Sequence, residues 1–113
     1  PTLEHSMIRY AGAPDDLTGI GVELLKLLDE ASGKGVRALF DSVSTLLMYT
    51  ETERAFRFLD LVTARLTEAE AVGLFALNPA AHSEAVCETL SHLFDGIVRL
   101  EDDGVASVDL PEC

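Results

Sequence analysis

Between two stretches of helical periodicity the chain runs Val36-Arg37-Ala38-Leu39-Phe40 and then stops on Asp41-Ser42. A run this short and this apolar reads as a strand whose sheet is covered on both faces, since a strand with one wet face alternates. A helix before it and a helix after it is the pattern of parallel strands joined by right-handed crossovers. Asp41 then stands at the carboxyl end of a strand, the end of an open α/β sheet where ligands gather.

The flanking elements follow from spacing and caps. Ser6–Tyr10 alternate weakly and are read as a first short strand, followed by a turn over Ala11–Asp16. Asp15 or Asp16 is placed to cap a helix whose apolar face is Leu17, Ile20, Gly21, Leu24, Leu25, Leu28 and Ala31. Ser32-Gly33 ends it, glycine taking the left-handed position after the last turn. Residues 41–49 fit either continued strand or a helical turn. Thr50 with Glu53 fits a capping box, which predicts a second helix from Thr50 with Ala55, Phe58 or Phe56, Leu59, Val62 and Leu66 turned inward.

Ala71–Leu77 reads as another buried strand, stopped by Asn78-Pro79. Ser83 is placed to cap a third helix with Val86, Cys87, Leu90, Leu93 and Phe94 on one face, closed by Asp95-Gly96. Ile97–Leu100 is a further strand, and Val105, Ser107 and Val108 pair back on it as an edge strand after the acidic turn Glu101–Gly104. This alternation predicts a three-layer α/β/α domain with a mostly parallel sheet of four to five strands, residues 1–113 forming one domain.

Charge narrows the setting. Twenty Asp and Glu face eight Lys and Arg, a net charge of −12 on 113 residues, and the lysines are only Lys26 and Lys34. The screening length falls from about 10 Å at 0.1 M salt to about 3 Å at 1 M, so molar salt removes most of the self-repulsion. An acidic, lysine-poor surface over a core drawn from 48% hydrophobic residues fits the cytoplasm of a halophile. The alternative is an acidic domain with a basic partner. Nucleic acid is excluded as a ligand, because phosphate binding needs a basic stripe. No run of 18 apolar residues offers a membrane span, and Cys87 and Cys113 suit a reducing cytosol.

Asp41 and Asn78 end neighbouring strands in this scheme, with Ser44, Thr45, Tyr49 and His82 able to join the crevice between them. His82, Cys87 and His92 are spaced by five, which on a helix leaves neighbours about 140° apart, too far round to share a metal. Ser42 lacks the glycine-flanked elbow of a hydrolytic nucleophile. Glu101-Asp102-Asp103 reads as a solvated turn without a full calcium loop.

From Asp15 to Leu100 the chain resembles the C-terminal half of RecA/KaiC-type ATPase domains. The phrases that carry the likeness are Asp16-Leu17-Thr18-Gly19-Ile20-Gly21, Leu39-Phe40-Asp41-Ser42 and Leu93-Phe94-Asp95-Gly96-Ile97-Val98-Arg99-Leu100. With its acidic surface it is similar to the KaiC-like, transducer-associated (HTR-like) proteins of salt-loving archaea. The resemblance implies a truncated RecA-like fold, with Asp41 as the Walker B carboxylate that reaches Mg²⁺ through water. Ser42 would be the small polar residue after it, and Asn78 the group sensing the γ-phosphate. The chain departs from the family pattern in holding no G-x-x-x-x-G-K-[ST] loop, and in the Arg37 that interrupts the strand before Asp41.

Without the loop's N–H groups, triphosphate loses its main charge stabilisation. The expectation is therefore a non-catalytic regulatory or protein-interaction domain in halophilic archaeal signalling, with no cofactor. It would associate with itself or a protein partner through a strand edge or helix face. The alternative is a partial ATPase binding ATP and Mg²⁺, its phosphate-loop half lying outside this chain or on another one.

Overall fold

The computed structural model describes residues 12, 13, 15–31 and 33–109. In chain order the elements are α1 (Leu17–Glu30), β1 (Arg37–Phe40), α2 (Val43–Tyr49), α3 (Thr52–Glu68), β2 (Val72–Phe75), a 3-10 turn (Pro79–Ala81), α4 (Glu84–Ser91), β3 (Ile97–Glu101) and β4 (Gly104–Asp109). They divide into two compact units, Pro1–Leu77 and Asn78–Cys113.

In the first unit, α1 starts where Asp16 Oδ1 accepts a hydrogen bond from the Gly19 N–H at 3.0 Å, satisfying one orphan donor of the first turn. It ends in a turn through Gly33, whose φ of 79° is open to glycine without strain. α3 supplies most of the core. Ala55, Phe58, Leu59, Val62 and Leu66 recur at helical spacing and are all buried, Phe58 rather than Phe56 taking the inward place. Leu17 and Leu28 of α1 and Val43 and Leu46 of α2 are buried with them. Both helices pack on α3, which in turn lies against β2.

β1 and β2 run parallel, pairing Arg37 with Val72, Ala38 with Gly73, Leu39 with Leu74 and Phe40 with Phe75. The pairing continues one step at each end, where Val72 N–H donates to Val36 O at 3.1 Å and Ala76 N–H to Phe40 O at 3.0 Å. On the inner face Phe40 stacks on Phe75 with ring centres 5.6 Å apart and meets Phe58 of α3 at 6.3 Å. Gly73 is part of that fit. A Cβ there would stand 2.8 Å from Leu66 Cδ1 and 2.9 Å from Phe75 Cε1.

The turn from α3 to β2 is a Schellman motif. Ala71 N–H donates to Leu66 O at 2.9 Å and Glu70 N–H to Thr67 O at 3.0 Å, while Glu70 takes the left-handed position with φ 55°. That position is normally glycine's.

In the second unit, Ser83 Oγ accepts from Val86 N–H at 3.2 Å and caps α4, whose Leu90 is buried. β3 and β4 form an antiparallel hairpin with Glu101 opposite Gly104, as the sequence suggests, and its register shifts between Arg99 and Leu100. α4 stops at Ser91, short of the expected closure at Asp95-Gly96.

The fold class is where expectation fails. In place of a mostly parallel sheet of four to five strands between two helical layers, the described residues form two separate two-stranded sheets, one parallel and one antiparallel. Ile97–Leu100 has a partner a few residues away across Asp102-Asp103, and closing so short a loop costs less entropy than a crossover. The truncated RecA-like three-layer architecture is therefore not what the chain adopts. Nor are both faces of the parallel pair covered, because Leu39 is 70% exposed, Val72 60% and Leu74 63%. The Ser6–Tyr10 strand lies outside the described residues.

The capping box also fails. α3 begins after Glu51 with no side-chain cap, and Thr50 instead ends α2, its N–H donating to Leu46 O at 3.1 Å. Thr50 Oγ1 is buried with no hydrogen-bond partner.

Two stability changes follow from these turns. Glu70→Gly is expected to stabilise by about 0.5–1 kcal/mol in urea unfolding, the relief of left-handed strain exceeding glycine's extra chain entropy. Thr50→Val, which removes an unsatisfied buried hydroxyl from an extended residue, is expected to raise stability by about 1 kcal/mol in the same assay.

Candidate functional site

Asp41 leaves β1 and passes through a cis peptide bond to Ser42, whose extended backbone opens α2. Ser42 Oγ accepts from the Thr45 N–H at 3.1 Å and stands 3.0 Å from Thr45 Oγ1. The start of α2 is tied to the end of β2, Val43 N–H donating to Ala76 O at 2.8 Å. Asp41 is exposed and has no ion pair among the described residues. One strand end thus carries a solvated carboxylate beside two hydroxyls that bond each other. Ser42, matched by resemblance to the residue after a Walker B carboxylate, already has a structural task as a helix cap.

Asn78 is a cap as well. Its Oδ1 accepts from the Ala80 N–H at 3.1 Å at the 3-10 turn, and His82 N–H closes that turn on Pro79 O at 3.3 Å. Both belong to the second unit, whereas Asp41, Ser42, Ser44, Thr45 and Tyr49 belong to the first. The structure thus brings Asp41, Ser42 and Thr45 together, with Ser44 half-buried and Tyr49 exposed on the same short helix. On α4, His92, the residue after its last turn, lies 3.4 Å from Glu88, and Cys87 is a half-buried free thiol. Glu101, Asp102 and Asp103 are exposed at the hairpin turn.

Two open grooves lie elsewhere. One of about 280 Å³ is lined by Leu17, Thr18, Arg54, Arg57, Phe58 and Leu61, and another of about 260 Å³ lies beside Phe94 and Ile97. Neither includes Asp41, Ser42 or Asn78. Among the described residues no three His, Cys, Asp or Glu are grouped to hold a metal ion, and no helix is long and apolar enough to cross a membrane.

The feature that sequence reasoning missed is the outer face of the parallel pair. Alternation turns Ala38, Phe40, Gly73 and Phe75 toward α3 and leaves Arg37, Leu39, Val72 and Leu74 exposed. Arg37 was the available signal. A guanidinium within the apolar run from Val36 to Phe40 marks the side that meets water.

These features define a small α/β unit with a one-sided parallel pair and a carboxylate at its carboxyl end. Residues 4–100 match the model of the DUF7504 family, a family of unknown function, and the chain belongs to that family. No curated protein and no solved structure matches it.

Ser42→Ala is expected to cost about 1 kcal/mol in chemical unfolding by removing the α2 cap. Asp41→Asn, at an exposed position, should stay within about 0.5 kcal/mol of the parent.

Proposed function

We propose that the chain is a non-catalytic interaction or regulatory domain, related to RecA/KaiC-type ATPases and working in the cytoplasmic signalling of a salt-loving archaeon. The observation that carries this reading is the outer face of β1 and β2, where Leu39, Val72 and Leu74 lie side by side in water. Apolar surface is stabilised by roughly 25 cal/mol for each Å² removed from water, and parallel strands are ordinarily covered on both sides. Each strand of the pair also has one edge without a strand partner among the described residues, and such backbone templates further pairing.

The acidic, lysine-poor composition supports the high-salt setting, with a net charge of −12 and two lysines. The three quoted phrases support the relationship to the ATPases. With no phosphate loop in the sequence, no hydrolysis by this chain alone is expected.

The second reading, a partial ATPase whose phosphate-binding half comes from elsewhere, is favoured by one observation: an exposed carboxylate at a strand's carboxyl end beside Ser42. Titration calorimetry of Mg·ATP into the chain in molar KCl separates the two. The interaction reading expects no saturable heat. Stoichiometric binding that Asp41→Asn abolishes would establish the ATPase reading instead.

A further inference from the structure

We infer that the outer face of the β1–β2 pair is the seat of a second copy of this chain, packed sheet on sheet about a two-fold axis. This deepens the reading of the chain as an interaction domain and rests on it. Four positions decide the geometry. Leu39 and Leu74 stand at the same level of the ladder, directly paired. Arg37 lies two residues before Leu39 on β1. Asp41 lies two residues after it, just past the Phe40 O to Ala76 N–H step that continues the pairing. Extending the strand's alternation by one residue puts all three on one face. Arg37 and Asp41 are exposed, lack ion pairs among the described residues, and sit roughly 13 Å apart along the strand at 3.3 Å per residue.

A two-fold axis lying across the strands at the Leu39–Leu74 level turns one sheet onto the other with β1 over β1 in reverse direction. Leu39 then meets the partner's Leu39, and Leu74 meets the partner's Leu74. Arg37 falls over the partner's Asp41, and Asp41 over the partner's Arg37. Val72 meets the partner's Ala76, an exposed residue two places after Leu74 where the pairing continues past β2. Aligned sheets pack with their strands within about 30° of each other, so the stacking survives the twist. An isologous interface requires this self-complementarity, in which each contact occurs twice. Charges of opposite sign at equal spacing on either side of the apolar centre meet that requirement, and an unrelated partner would have no need of it.

Size and charge set the strength. Three large apolar side chains and their neighbours fall short of the ~800 Å² per partner of a standard interface, so the dimer is a weak one. Two copies of net charge −12 repel each other, and association therefore strengthens as salt shortens the screening length from about 8 Å at 0.15 M to about 3 Å at 1 M.

Sedimentation equilibrium of the full chain from 0.2 to 2 M KCl, with circular dichroism to verify the fold, tests the assignment. The parent is expected to dimerise more tightly as salt rises. At intermediate salt, Arg37→Glu and Asp41→Arg should each weaken the dimer about tenfold, since each change places like charges together twice per dimer. The double variant should return to within about threefold of the parent. Asp41→Arg is the sharpest arm, because it lowers the net negative charge, and overall repulsion alone would make that dimer tighter. Leu39→Glu sets two carboxylates on the axis and should leave only monomer; if it fails to fold, the exposed charge pair still decides.

A parent that is monomeric at every salt, a tighter Asp41→Arg dimer, or no rescue in the double variant would each overturn the assignment. A chain that dimerises as described yet also binds Mg·ATP would overturn the non-catalytic reading and leave the dimer standing.

Discussion

Ala55 and Leu59 of α3 keep no exposed surface, and the first unit is organised by what their helix presents on either side of them. Phe58 reaches Phe40 of β1, Leu66 fills the space that Gly73 leaves on β2, and α1 and α2 lean on the remaining stripe. The parallel pair has only four paired residues in each strand. Two strands that short do not hold together in water without an apolar surface beneath them. α3 supplies that surface from one side, so the pair keeps one dry face and one wet one.

The elements that local chemistry controls were legible in the sequence. Asp16 and Ser83 cap the helices that begin after them, and the spacing of Ala55, Leu59, Val62 and Leu66 identified the inward stripe of α3. The β3–β4 hairpin was legible too, since an acidic turn with glycine stood between two apolar runs. The sheet as a whole was not. An apolar run of five residues reports that a strand is hydrophobic, not how many neighbours it has or whether its second face is covered. Thr50 and Glu53 satisfied the pattern of a capping box, but the chain used Thr50 to end α2, and the hydroxyl was left without a partner.

The candidate site shows the same division between local and long-range information. Asp41 stands at a strand's carboxyl end as the order of elements implied, and Ser42 beside it is held by Thr45. Asn78 was grouped with them only through an assumed continuous sheet; its side chain caps a 3-10 turn in the second unit. The exposed apolar residues of the strand pair lie instead on its outer face. Arg37, a departure from the ATPase pattern when read as a flaw in a buried strand, is the polar margin of an exposed apolar surface. The same residue that departs from the nucleotide-site pattern thus borders the exposed apolar face.

The proposed association requires that surface to be open in the monomer. Methyl-resolved NMR with a soluble paramagnetic agent tests this directly, in dilute protein at moderate salt. Strong relaxation of the Leu39, Val72 and Leu74 methyls is expected, with those of Leu59 and Val62 untouched. If the methyls of Leu39 and Leu74 are as protected as that of Leu59 at every protein concentration, the outer face is already covered within the chain, and the central claim fails.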